Sequence, residues 1–237
     1  MKLTSKELKR RARGILTGRY GLPMGAFVLS ELIIFLISSP FGLPFPNPTT
    51  MQITIWILST LIISLLTSVL NCGLMNLHLN LARDKETKLF DLFYFFSRRP
   101  DRFILANLLM SCIFLLIMLP ASLATIAAFV LLNTFAGYIF IAAIWIITMI
   151  LLCIVSISYS QVYYLLIDRT ELSIRNAFRE SRKIMKGNKA RSFYISLSFI
   201  GMSLLGVLSF GIGLLWVIPY INQTRTEFYR NIVTEIT

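Results

Sequence analysis

The 65 residues from Phe103 to Ile167 contain no Asp, Glu, Lys, Arg or His. No water-soluble core takes up a run of that length; at ~20 apolar residues per bilayer crossing it supplies two membrane helices. The turn between them falls at Asn133-Thr134-Phe135-Ala136-Gly137, where Asn and Gly are the local breakers, giving spans at about 103–132 and 138–167. Pro120 lies inside the first and is expected to kink it, which membrane bundles tolerate.

Two more spans precede these. Met51 to Ala82 is 32 residues without a formal charge. As a helix it would reach ~48 Å, more than the ~30 Å hydrocarbon core, so a span at about 53–82 must tilt or protrude. Between Leu22 and Leu43 the only charge is Glu31, which predicts a span at about 22–43. Residues 40–52 carry Pro40, Pro44, Pro46 and Pro48 and read as an extended, proline-stiffened loop. After the fourth span, Ser192 to Thr224 is again free of charge for 33 residues. That is long for one crossing and short for two. A hairpin around Gly211-Ile212-Gly213, with arms at about 192–210 and 214–232, makes six crossings; a single tilted helix makes five.

The expected fold is therefore all-α and polytopic, one integral membrane domain over 1–237. Composition agrees: charged residues are 14% of the chain and hydrophobic ones 56%, where a soluble domain carries ~25% charged. An ordinary soluble enzyme and a disordered chain are both excluded.

The remaining charge is lopsided, 23 Lys+Arg against 11 Asp+Glu, and falls into clusters at Lys2–Arg19, Arg83–Arg102 and Asp168–Arg191. Basic residues interleaved with apolar runs point to an anionic membrane surface, not nucleic acid. The proposed spans put all three clusters on one side and leave the other connections without Lys or Arg, which predicts a cytoplasmic N terminus. Arg225 and Arg230 in the tail favour a cytoplasmic C terminus by the same rule. The first apolar run begins only after residue 21 and contains Glu31, unlike a cleaved signal peptide.

The third cluster has helical texture. Over Ser173–Gly187, positions 174, 177, 178, 181, 184 and 185 form one face, and Arg175, Arg179, Arg182, Lys183 and Lys186 fill the other. Such a helix is expected to lie in the headgroup region, apolar side down, with the five cations as candidate contacts for anionic lipid. The alternative is a connector that is basic only for topology. Residues 1–21 form a similar basic amphipathic segment, and Lys88–Arg99 a more aromatic one. Each precedes a membrane hairpin, which suggests three units of one plan.

Few residues carry chemistry. Glu31, about eight residues into its span, is a candidate ion, proton or substrate site, or a hydrogen-bonded packing group. His78, the only histidine, lies among Asn71, Asn76 and Asn80 and suits interhelical hydrogen bonding. Cys72, Cys112 and Cys153 sit in apolar runs without CxxC pairing and read as buried thiols. No catalytic residue, metal site or cofactor motif is expected.

A pattern over the C-terminal third carries a family resemblance: Ala177-Phe178-Arg179-Glu180-Ser181-Arg182-Lys183-Ile184-Met185-Lys186-Gly187-Asn188-Lys189, Ser198-Phe199-Ile200-Gly201, Gly211-Ile212-Gly213-Leu214-Leu215-Trp216, Pro219-Tyr220 and Phe228-Tyr229. With Lys6-Glu7-Leu8-Lys9 and Ala12-Arg13 near the start, it resembles the bacterial integral-membrane family called domain of unknown function 975. The resemblance implies a multi-helix protein of the bacterial plasma membrane and no particular activity. The expected function is non-enzymatic: binding of membrane lipids through anionic headgroups, or of a protein partner or second copy, at the cytoplasmic face. A small transporter or channel component using Glu31 is the alternative, and requires a polar cavity reaching that residue. An intramembrane enzyme is the third reading.

Overall fold

The computed structural model describes residues 3–42, 48–131 and 134–234, and these contain helices and no strand. In chain order the α-helices are α1 (Ser5–Leu16), α2 (Gly21–Ser38), α3 (Thr50–Ala82), α4 (Pro100–Leu131), α5 (Phe135–Tyr159), α6 (Val162–Asp168), α7 (Ile174–Ile184), α8 (Lys189–Leu197), α9 (Ile200–Leu208) and α10 (Leu214–Thr234). A 3-10 turn at Ser39–Phe41 follows α2, and a longer 3-10 segment at Leu89–Phe96 precedes α4.

Short polar residues start several of these helices. The Thr49 hydroxyl accepts from the Gln52 N–H while Gln52 caps the Thr49 N–H in return, opening α3. Thr134 caps α5 through the Gly137 N–H, and Ser173 caps α7 through the Asn176 N–H. The predicted turn at Asn133–Gly137 is thus resolved at its C-terminal side, while Asn133 lies outside the described residues. So do residues 43–47, the centre of the predicted proline loop.

Five segments are long and apolar enough to cross a membrane: Gly21–Phe41, Thr50–Ala82, Pro100–Phe129, Ala136–Asp168 and Lys189–Leu208. Their outward faces carry large apolar side chains, such as Leu115, Leu116 and Ile126 on α4 and Ile146, Ile147 and Ile150 on α5. Outside water, that exposure is the normal face of a lipid-bathed helix. The fourth span is not continuous: it breaks at Ser160–Gln161 between α5 and α6. The fifth breaks at Ser198–Phe199.

Of the six expected arms the last, at about 214–232, stands apart from the others. A helix does occupy 214–234, after a turn at 209–213 in which Phe210 and Gly211 have positive φ. It is not one of the five apolar spans. Instead α10 runs back beside α8 and α9, buries Gln223, Thr224, Thr226 and Glu227, and packs against α1, α2 and α3. Phe199 meets Tyr220 edge to face, and the Leu3 N–H donates to Asn231 Oδ1 at 3.2 Å. First and last helices therefore meet at one end of the bundle. The polar arm is tolerable because the protein, not lipid, surrounds it.

That end is also the basic one. α1, the Leu89–Phe96 segment and α7 gather there with the turns at 83–102 and 168–173. In element order a short segment precedes a pair of arms each time, but the units differ: the second segment is a 3-10 helix, and the third pair has a first arm broken into α8 and α9 and a polar return arm. The thiols differ from expectation too. Cys72 is buried, whereas Cys112 and Cys153 are exposed on helix faces, where a cysteine is apolar enough to meet lipid.

The Leu89–Phe96 segment inserts Leu92 and Phe95 into the core and leaves Phe90 outside. It reaches α3 only because residue 73 is glycine: a Cβ there would lie 1.9 Å from the Leu92 carbonyl oxygen. We expect Gly73→Ala to displace the segment and to destabilise the protein by about 1–3 kcal/mol or more. Gly14→Ala in α1, with nothing within 4 Å of the added carbon, is expected to be neutral or to stabilise by up to ~1 kcal/mol. Thermal unfolding of the two variants in detergent, read side by side, checks the pair; equal midpoints would refute the contact.

Candidate functional site

α7 is held at the basic end by its own apolar face. Ala177, Phe178, Ser181 and Ile184 are buried. The Phe178 ring packs on Tyr159 at 5.2 Å between centroids, and the Ser181 hydroxyl donates to the Ser158 carbonyl at 3.0 Å. Asn188 closes the far end by donating from Nδ2 to the Ile184 carbonyl at 2.9 Å. This corrects the expected orientation: the apolar side rests on α5 and α6, so it is not available to sink into acyl chains.

The opposite face is entirely basic. Arg175, Arg179, Arg182, Lys183 and Lys186 are all exposed. By ideal helix geometry they fall within an arc of about 100°. Glu180, the one acid on α7, is already paired with Arg169 at 2.6 Å. None of the five cations has an ion-pair partner among the described residues. Five like charges on one face repel one another, so the surface is electrostatically incomplete without an anionic counterpart.

Neighbouring turns fix this face in place. Arg102 donates to the Leu166, Arg169 and Leu172 carbonyls, clamping the turn that leads into α7. Arg83 Nη2 donates to Asp168 Oδ1 at 2.6 Å, and Asp168 Oδ2 accepts the Tyr229 hydroxyl at 3.0 Å. Burial, together with the Asp168 carboxylate beside it, pushes the Tyr229 phenol well above its usual range, so it keeps the proton it donates. Tyr229 also stacks on Tyr164, whose hydroxyl meets Thr226 Oγ1 at 3.1 Å. Glu227, buried, holds Arg230 at 2.7 Å.

α1 adds a second basic surface. Leu8, Ala12 and Leu16 are buried, while Lys6, Arg10, Arg11 and Arg13 are exposed. Lys9 is half-buried: its ammonium donates to the Ser198 carbonyl at 3.0 Å and sits over the Phe199 ring, and burial lowers its pKa.

The two intramembrane candidates separate. His78 is buried and bonded to α10: His78 Nδ1 lies 2.8 Å from Gln223 Oε1, and Gln223 Nε2 donates back to the His78 carbonyl at 3.3 Å. Because the carboxamide oxygen only accepts, Nδ1 carries the hydrogen. Glu31 is exposed on the outward face of α2, one residue from buried Ser30, and takes no hydrogen bond or ion pair among the described residues. It does not line the cavity of about 590 Å³ between α3, α4, α5, α6, α8 and α10. The structure therefore brings Glu31 and His78 into no common site. Among the described residues no three His, Cys, Asp or Glu side chains converge as a metal would need.

The sequence marks Pro219, Asn222, Gln223 and Arg225 as suited to a bundle interior or the interface, but not the pairings of this network, chiefly Gln223 with His78 and Tyr229 and Arg83 with Asp168. The available signal was the polarity of residues 222–230 inside an otherwise apolar C-terminal third, which marks an arm surrounded by protein.

The sequence model of the family described as "Protein of unknown function (DUF975)" matches residues 1–235. The chain belongs to that family. No curated protein matches it, and no solved structure does.

Two expectations follow. Gln223→Leu leaves the buried His78 Nδ1–H without an acceptor and is expected to cost about 1–3 kcal/mol. The double variant His78→Leu with Gln223→Leu is expected to cost less than the sum of the single ones; additive losses in unfolding midpoints would refute the pairing. Glu31→Leu, which replaces an unpartnered carboxylate on a lipid-facing surface, is expected to raise stability in detergent or leave it unchanged. A marked loss would show that Glu31 has a structural partner.

Proposed function

We propose that this DUF975 protein is a non-enzymatic protein of the bacterial plasma membrane that binds anionic lipid headgroups at its cytoplasmic face. The observation that carries the reading is the α7 surface: five exposed cations, none of them ion-paired among the described residues, and an opposite face locked onto the bundle. A connector that is basic only for topology does not need its charges on one rigid face.

The lipid is an anionic phospholipid of the inner leaflet, met edge-on where α7 flanks the bundle. Each Lys or Arg near such a surface contributes on the order of 1 kcal/mol. Exposed α1 cations extend the same surface. This orientation puts the three basic clusters inside, as the positive-inside rule requires. Since the first and last helices share the basic end, both termini are then cytoplasmic.

The test uses the full chain in nanodiscs of mixed phosphatidylcholine and phosphatidylglycerol, with spin-labelled forms of each lipid reporting the immobilised fraction. The wild-type protein is expected to prefer the anionic label. Changing Arg175, Arg179, Arg182, Lys183 and Lys186 together to Gln is expected to reduce that preference several-fold, and raising the salt to weaken it in the wild type. Unchanged selectivity in the five-fold variant would overturn the proposal.

A further inference from the structure

A cavity of about 590 Å³ lies away from the charged α7 face, between α3, α4, α5, α6, α8 and α10, with Asn71 and Arg225 at its exposed rim. Four serines line it, together with the carboxamides of Asn71, Asn107, Gln161 and Asn222 and the guanidinium-bearing Arg225. No Asp, Glu, His or Lys lines it. It adjoins the break in the fourth span: Ser160 and Gln161, the two residues between α5 and α6, are both in its wall. Interrupted membrane helices at a polar cavity are a recurrent way of presenting polar groups to a ligand.

Two features are unresolved by the protein itself. Arg225, exposed at the cavity's rim, is a permanent cation with no ion-pair partner among the described residues, and two acids of the neighbouring network are committed elsewhere. Glu227 holds Arg230, and Asp168 holds Arg83 and Tyr229. Gln161 is 4% exposed; its Nε2 donates to Ser160 Oγ at 2.9 Å, but its Oε1 is buried without any partner. The exposed Asn71 and half-buried Asn222 side chains make no hydrogen bond among the described residues and are free to join it. A lone cation asks for an anion, and an orphaned carbonyl asks for a donor.

The geometry points to a binding site for a single small group that supplies both: an oxyanion to meet Arg225, bearing hydroxyl or amine donors to meet Gln161 and the asparagines. Phosphoglycerol has this chemistry, whether as the headgroup of a lipid drawn in between helices or as a free solute. The volume lies within the ~300–1,000 Å³ of small-molecule sites. With no carboxylate, imidazole or amine in its wall, the site holds its ligand and does not transform it. It is independent of the α7 surface, and either can fail alone.

The test measures ligand-dependent thermal stabilisation of the full chain in a neutral detergent. One arm titrates free glycerol phosphate and the other short-chain phosphatidylglycerol, both in the background with the five α7 cations changed to Gln, so that the outer face contributes nothing. At least one probe is expected to stabilise the protein in a saturable way. Arg225→Gln is expected to weaken it about tenfold or more, and Arg225→Lys less so. Gln161→Met, which keeps the volume, is expected to weaken it by a smaller factor. Stabilisation by both probes assigns a free solute, and by the lipid alone a headgroup. Failure of both probes, or equal affinity in a folded Arg225→Gln variant, overturns the site. Binding that vanishes only with the α7 charges restricts recognition to the outer face and also overturns it.

Discussion

Everything at the basic end depends on keeping α10 hydrogen-bonded inside the bundle. Its side chains at 223, 224, 226 and 227 are polar and buried, and a buried polar group that loses its partner carries the full cost of desolvation. The bundle answers residue by residue. Gln223 is met by His78 of α3, Thr226 by Tyr164 of α6, Tyr229 by Asp168, and Glu227 by Arg230 of the same helix. Each bond crosses to a different element or secures one that does, so the network sets where α3, α6 and α10 stand relative to one another. α7 then rests on α5 and α6, and its charged face inherits their rigidity.

Charge and hydropathy were enough to read the long helices. The runs at 51–82 and 103–167 have no alternative to membrane helices, and the five apolar spans lie within a few residues of expectation. Breaks inside those runs were not legible. Nothing in Ser158-Tyr159-Ser160-Gln161 is a strong helix breaker, and the interruption there is visible only in the structure, where Ser160 and Gln161 line the cavity. Nor did the sequence say which side of α7 meets what. Its alternation of apolar and basic residues suits a helix on a bilayer and a helix on a protein equally, and only the placing of Phe178 and Ser181 against α5 decides. Gly73 is similar: inside a 33-residue helix it looks incidental, and its purpose is visible only from the backbone of the segment that touches it.

Glu31 and Arg225 make a useful contrast. A carboxylate alone in an apolar run is the conspicuous feature of the sequence, yet it stands on an outward face with no polar company. Arg225, at the edge of a charge-free stretch, looks like an ordinary interfacial cation, yet it lines a cavity with four carboxamides. Isolation along the chain measures cost, whereas a binding site requires convergence in space. The first can be counted from residue numbers and the second cannot.

The meeting of α1 with α10 has a consequence for biogenesis. α1 is synthesised well before α10, yet α10 forms the larger part of the surface that buries Leu8, Ala12 and Leu16, with α3 and α8 supplying the rest. Until α10 is made, the apolar stripe of α1 lacks most of its cover. Lying on the membrane surface is the natural waiting state for such a helix. α1 thus serves first as an interfacial anchor and docks fully only when α10 closes the contacts around it.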